Sequence, residues 1–263
     1  MKIRKLERAK LNNNALKEVI AQIKFPRNMQ IESGLPAEFQ KQMSPNFPIF
    51  ELQQSQEVTF KLPGKNDSGG VHETQVAVYN FKSADGFNKI SLSRDFLAVS
   101  TSKYDSWDAF FSILESSYNS LMQIYTIPLI LRVGLRYRNL IDKTALFQDE
   151  TSWSDILKPN VLGHIATDSL FEGTLKESSL KGSRSITQIK LENYSLNIQT
   201  GFADIGKGKL GFFIDNDFFD NIKIAKDKFN LDAKMRELHA DSESTFRHFL
   251  TDKLYTVLLG AEE

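Results

Sequence analysis

The sequence predicts an α+β protein, with mainly antiparallel sheets in two packed lobes that are each backed by one long helix. Most of the chain divides into short segments in which apolar and polar residues alternate, as they do in half-buried strands. Only two long segments repeat apolar residues at helical spacing, too few to cover a parallel sheet on both faces. We expect an N-terminal lobe at residues 1–145 and a C-terminal lobe at residues 146–263.

Two stripes of apolar residues predict the long helices. The first stripe follows Asp105 and Ser106, which are favourable N-cap residues. Its members recur three or four positions apart and are Trp107, Phe110, Phe111, Leu114, Tyr118, Leu121, Met122 and Tyr125. The second helix is expected over residues 231–259, with Gly260 as its stop, and a shorter helix is expected over residues 36–43.

Eight segments between these helices are predicted to be strands. They cover residues 16–25, 47–60, 73–82, 89–101, 129–141, 163–174, 185–200 and 209–219. The glycine-rich residues 63–70 and 201–208 are expected to form turns between neighbouring strands.

The composition is that of an ordinary soluble globular protein, with 41% hydrophobic and 25% charged residues among 263. The 33 Lys+Arg residues balance 33 Asp+Glu residues, which makes nucleic acid an improbable partner and permits self-association. The absence of cysteine excludes disulfides and cysteine-ligated zinc. The charged start of the chain lacks the apolar stretch of a secretion signal, so we expect a cytoplasmic protein that does not enter a membrane.

The most definite feature is a row of arginines in one predicted strand. Arg132, Arg136 and Arg138 share one face, and Leu131, Val133, Leu135 and Tyr137 share the other. Residues two apart on a strand lie about 6.6 Å from each other, so three guanidinium groups crowd the same face. This crowding costs free energy unless carboxylates, phosphates or water oppose the charge.

Two aspartates are candidate partners for this row. Asp215 and Asp217 share a face of the last predicted strand, opposite Phe212 and Ile214. Two carboxylates at this spacing can bind a divalent cation, or they can neutralise arginines on a neighbouring strand. We favour the ion pair, and Glu18 on the first strand is a further candidate partner.

Two other patterns are weighed and set aside. Residues 201–208 resemble a phosphate-binding loop, but Gly208 replaces the Ser or Thr that holds magnesium and a strand follows instead of a helix. His239 and His248 each lie four residues before a carboxylate, but no third zinc ligand is identifiable. We therefore assign no catalytic residue, no metal site and no cofactor. We expect Phe218 and Phe219, beside the aspartates, to be exposed at a contact surface.

Several segments resemble a sporadically distributed, uncharacterised family of bacterial and archaeal proteins of about this length. They are Tyr-x-x-Trp-x-x-Phe at residues 104–110 and Arg-x-Gly-Leu-Arg-Tyr-x-Asn-x-Ile at residues 132–141, flanked by residues 15–25 and by Leu238-His239. Ala15 stands where the family has proline, which affects only the entry to the first strand. The resemblance covers essentially the whole chain and implies a fold, and its patchy distribution suits a defence-linked accessory protein.

These observations predict a non-catalytic binding or regulatory module that acts through protein partners and forms a homo-oligomer. The alternative is an enzyme or sensor that binds an anionic small molecule, a nucleotide or phosphate ester, at the face of Arg132, Arg136 and Arg138. Acidic residues over that face would favour the first hypothesis, and an open concave pocket that holds ordered sulfate or phosphate would favour the second.

Overall fold

The computed structural model describes residues 1–7, 9, 11–13, 15–61, 70–147, 151–166, 177–206 and 208–260. These residues form helices and antiparallel strand pairs, so the predicted α+β class is confirmed. The predicted turn at 63–70 falls almost entirely outside the described residues.

The strands are β1 (Leu16–Lys24), β2 (Ile49–Lys61), β3 (Gly70–Lys82), β4 (Asn88–Ser93), β5 (Phe96–Thr101), β6 (Leu129–Ile130), β7 (Arg132–Ile141), β8 (Ser183–Lys190), β9 (Ser195–Asp204), β10 (Leu210–Asp220) and β11 (Ile224–Ala225). The α-helices are α1 (Met29–Ser33), α2 (Ala37–Met43), α3 (Trp107–Ile124), α4 (Lys143–Leu146), α5 (Trp153–Ile156), α6 (Pro159–Leu162), α7 (Leu231–His239), α8 (Ser242–Arg247) and α9 (Asp252–Leu259).

The chain divides into two compact units, each assembled from separate segments. Unit 1 contains Met1–Val19, Gly134–Asp220 and Asp232–Glu263, and unit 2 contains Ile20–Val133 and Asn221–Leu231. β1 and β7 therefore contribute residues to both units. The boundary expected after residue 145 falls inside unit 1.

Unit 2 contains the strand order β2-β3-β4-β5-β1. The predicted strand 89–101 is a hairpin in which Ser93 pairs with Phe96 across a two-residue turn. The long helix α3 begins where expected, because the Ser106 side chain accepts a hydrogen bond from the Ala109 amide. Its apolar stripe is buried as predicted: Leu114 and Leu121 are fully buried and Phe110 is 3% exposed.

Unit 1 contains the strand order β7-β10-β9-β8, with the first residues of β1 beside β7. One face of these strands carries large apolar side chains. Trp153 of α5 contacts Phe202 of β9 and Phe212 of β10, with ring centroids 5.1 and 6.1 Å apart. Leu254 and Leu258 of α9 join the same cluster and are fully buried. The opposite face, which we call the polar face, carries Glu18, Arg136, Arg138, Gln199 and Asp215.

The predicted C-terminal helix over residues 231–259 is wrong in one respect, because it is divided into α7, α8 and α9. Between α8 and α9 the backbone turns outward to pair with residues 156–158. The Lys158 amide donates to the Phe249 carbonyl and the Thr251 amide donates to the Ile156 carbonyl. These tertiary hydrogen bonds replace helical ones, which a periodic pattern of apolar residues cannot reveal.

Three further sequence predictions are corrected. The expected strand at 163–174 begins with a short 3-10 turn at Gly163–Ala166, and residues 167–174 lie outside the described residues. The segment 185–200 is the hairpin of β8 and β9 and not one strand. Phe218 and Phe219 are both buried, because Phe218 packs edge-on against Tyr137 and Tyr194 and β10 is covered on both sides at that end.

Replacing Phe110 tests the packing of α3. Phe110→Ala empties a large buried site and should lower the free energy of unfolding by about 3–5 kcal/mol in urea denaturation. Phe87→Ala is the matched control, because Phe87 is 41% exposed and its loss should cost less than about 1 kcal/mol. Equal losses for the two variants would contradict the buried stripe.

Candidate functional site

The arginine row is divided between the two units. Arg136 and Arg138 belong to unit 1 and lie on its polar face, while Leu135 and Tyr137 between them are buried on the other face. Arg132 belongs to unit 2, where its guanidinium donates to the Gln22 side chain at 3.1 Å. The candidate site therefore contains two of the three arginines.

Arg136 forms a bidentate ion pair with Asp215. Its Nε donates to Oδ1 at 2.7 Å and its Nη2 donates to Oδ2 at 2.5 Å. The Asp215 side chain is 10% exposed, whereas that of Arg136 is 38% exposed, so the carboxylate is the buried partner. The hydrogen bonds that Arg136 donates to Asp215 raise the pKa of Arg136 above its ordinary value, against the opposing effect of burial.

Arg138 is held by carboxylates on either side. Its Nη1 donates to Glu18 of β1 at 2.8 Å, and its Nε lies 3.7 Å from Asp215 of β10. Asp217 lies on the same face of β10 and adds electrostatic attraction to Arg136. The two strands that flank β7 therefore both supply negative charge to the arginines.

A groove of about 570 Å³ opens on this polar face and reaches the start of β1, where Lys17 and Glu18 both line it although they lie on opposite faces of the strand. Its lining includes residues of all five strands that unit 1 contains in whole or part. The cationic residues of this lining are Lys17, Arg136, Arg138 and Arg184, and the anionic residues are Glu18 and Asp215. Four positive charges against two negative charges leave a formal excess of two, although the whole chain has a net charge of zero.

A glycine of β9 allows the backbone of β8, which forms one wall of the groove, to lie close to β9. Gly201 of β9 pairs with Arg184 of β8, and a Cβ placed on Gly201 would lie 1.9 Å from the Ser183 carbonyl oxygen. Only glycine permits the backbone of β8 to approach β9 so closely. The Arg184 guanidinium then donates to the Gln199 side chain at 2.7 Å, which places its charge beside the groove.

The cations of the groove differ in whether they already pair with a carboxylate of this protein. Arg136 and Arg138 pair with carboxylates, whereas Lys17 and Arg184 form no ion pair with any carboxylate among the described residues. An incoming anion would therefore meet two cations without a competing carboxylate and two arginines held in fixed orientations. Such an arrangement can bind an anionic group through charge-assisted hydrogen bonds.

His239 and His248 make polar contacts within unit 1. The Tyr137 hydroxyl and His239 Nδ1 are 2.7 Å apart, and His248 Nε2 lies 2.8 Å from the Arg4 carbonyl oxygen. Glu243 accepts a hydrogen bond from the Ala9 amide at 2.8 Å. No cluster of three metal-ligating side chains occurs among the residues that the structure describes.

The loop at 201–208 is a hairpin turn and not a phosphate-binding loop. β9 extends to Asp204, whose carboxylate accepts a hydrogen bond from the Gly206 amide, and β10 starts at Leu210. Gly206 and Gly208 have φ angles of 103° and 71°, which favour glycine.

No protein-family model matches this chain, and no curated protein is significantly similar to it in sequence. Among the described helices, none has both the length and the hydropathy that a membrane crossing requires.

Sequence reasoning missed Lys17, Arg184 and Gln199 as parts of the site. Lys17 and Arg184 lie 167 residues apart in the sequence numbering, and neither belongs to a charged pattern. The available signal was Gly201 inside a strand-like segment, since an isolated glycine in a strand often marks a close backbone approach.

Replacing Arg136 tests the ion pair. Arg136→Met leaves the buried Asp215 carboxylate without its bidentate donor and should lower the free energy of unfolding by about 1–3 kcal/mol. Arg138→Met is the control, because that side chain is 53% exposed and should contribute less than about 1 kcal/mol. An Arg136→Met protein as stable as the wild type in urea would contradict a structural role for the pair.

Replacing Gly201 tests the wall of the groove. Gly201→Ala forces β8 away from β9 and should cost about 1–3 kcal/mol of unfolding free energy. In Gly182→Ala the new Cβ would lie 3.9 Å from its nearest neighbour, the Phe202 carbonyl oxygen, so this control should stay near wild-type stability. A neutral Gly201→Ala in thermal and urea unfolding would show that the close approach does not exist.

Proposed function

We propose that the protein is a non-catalytic binding module that acts through a protein partner, and that the groove receives carboxylates of that partner. The observation that carries this proposal is the excess of cations over carboxylates along one groove of an otherwise neutral chain. A local positive surface on a neutral protein attracts acidic partners selectively and accelerates their association.

The shape of the site supports a partner that offers several carboxylates. Neighbouring strands lie about 4.8 Å apart, so Lys17 on β1 and Arg184 on β8 are separated by four strand spacings, or about 19 Å between backbones. A chain of acidic side chains can reach both ends of such a groove. The bidentate contact between Arg136 and Asp215 shows that a carboxylate fits an arginine of this face.

A nucleotide or phosphate ester is the second candidate ligand. The volume of about 570 Å³ lies within the range of small-molecule sites, which is roughly 300–1,000 Å³. The carboxylates Glu18 and Asp215 repel a concentrated phosphate charge more strongly than they repel single carboxylates, so we rank this candidate second.

The proposal also covers the location, the biological role and the oligomeric state of the protein. We place the protein in the cytoplasm, in a defence-linked accessory role, and we propose that it forms a homo-oligomer, which a net charge of zero permits.

Binding measurements on the full chain test this function. In isothermal titration calorimetry, a capped peptide of alternating Glu and Thr should bind, and Arg184→Ala or Lys17→Ala should weaken it about two- to fivefold. Lys228→Ala is the matched control, since Lys228 is exposed and does not line the groove.

Adenosine triphosphate without metal is titrated in parallel. The nucleotide would become the first candidate ligand if it binds, if its binding depends on Arg184 and Lys17 in the same way, and if the peptide does not bind. Failure of both probes to bind would contradict an anion-binding groove.

A further inference from the structure

The outer edge of β8 is unpaired among the residues that the structure describes. β8 ends the strand order of unit 1, and it pairs through one edge with β9. All of its residues except Ile189 are exposed, and its first residues line a cavity together with α6. An edge strand of this kind presents a row of backbone N–H and C=O groups that another chain can pair with.

We infer that the acidic segment of the partner binds as an extended strand along the free edge of β8. This inference rests on the proposed function and adds the conformation and the place of the bound segment. The occupant is an extended, acidic polypeptide of a partner protein. Backbone hydrogen bonds would supply affinity, and alternate side chains would supply specificity, as in other cases of strand addition.

The side chains of β8 indicate which segment fits. β8 pairs with β9 so that Arg184 lies opposite Gly201 and Ile186 opposite Gln199, which are polar-face positions of β9. Arg184, Ile186, Gln188 and Lys190 therefore all lie on the polar face. The two cations are six residues, or about 20 Å, apart, and Ile186 between them is 59% exposed.

Charge complementarity then defines the partner strand. Neither Arg184 nor Lys190 pairs with a carboxylate among the described residues, so both are available to one on a new neighbouring strand. A partner strand that complements β8 has two acidic residues six positions apart. Apolar residues lie between them on the same face of that strand. Such a strand also lies next to the wall of the groove, because Arg184 lines the groove.

β8 lacks most of the features that usually prevent another strand from pairing with an edge strand. Natural edge strands are protected by charged side chains, by proline, by β-bulges, by short length or by a covering segment, and of these β8 has the charged side chains of Arg184 and Lys190. β8 has eight residues, contains no proline, and pairs with β9 in an unbroken register from Ser183 to Lys190. Its two cations disfavour cationic strands and leave the edge open to acidic ones.

The experiment uses the full chain and three capped seven-residue peptides. The first peptide has Glu at positions 1 and 7, Val at positions 3 and 5, and Thr elsewhere. The second and third peptides carry N-methyl groups on the even or on the odd backbone nitrogens. Because only alternate N–H groups of an added strand face its neighbour, one of the methylated peptides should lose at least tenfold in affinity and the other much less.

Hydrogen exchange supplies an independent readout. The unmodified peptide should slow the exchange of amides in β8, and Arg184→Ala and Lys190→Ala should each weaken binding about two- to fivefold, while Lys228→Ala should not. Equal affinities of all three peptides, with the dependence on Arg184 retained, would overturn strand addition and leave the proposed function standing.

Two other outcomes also overturn the inference. If the unmodified peptide does not bind while the alternating Glu and Thr peptide does, the groove binds acidic chains without β8. If β8 amides become protected without peptide as protein concentration rises, a second copy occupies the edge. Failure of every acidic peptide to bind would overturn the proposed function as well.

Discussion

The ion pair between Arg136 and Asp215 is the interaction on which the polar face of unit 1 depends. Asp215 is nearly buried, and a buried carboxylate is tolerated only when charge and hydrogen bonds compensate for the loss of water. The bidentate contact provides both, and Asp215 also lies 3.7 Å from Arg138. One carboxylate thus relieves the repulsion between two arginines of the same strand face.

The same arrangement decides where positive charge is left over. Asp215 and Glu18 compensate Arg136 and Arg138, so the cations of the groove without a carboxylate partner among the described residues are Lys17 and Arg184. Gly201 adds a backbone constraint, because the close approach it permits brings Arg184 to the groove. These positions give the groove an excess of positive charge, although the whole chain is neutral.

The sequence was sufficient to predict features that depend on local periodicity. It did not predict features that depend on contacts between segments distant in the chain. Alternation of side chains predicted the shared face of Arg136 and Arg138, and the N-cap Ser106 predicted the start of α3. The sequence could not show that residues 249–251 leave the helix to pair with residues 156–158, since this pairing depends on tertiary hydrogen bonds. Nor could it unite Lys17 with Arg184, because strand order and not spacing brings them to one groove.

A double-mutant cycle between Arg136 and Asp215 tests this account most directly. The free energy of unfolding would be measured in urea for the wild type, Arg136→Met, Asp215→Asn and the double variant. The account predicts a coupling energy of at least about 1 kcal/mol. Arg136→Met removes both hydrogen bonds, and Asp215→Asn removes the negative charge and one of the two acceptor oxygens. A coupling energy near zero would mean that the two side chains contribute independently, and it would contradict the central role of the pair.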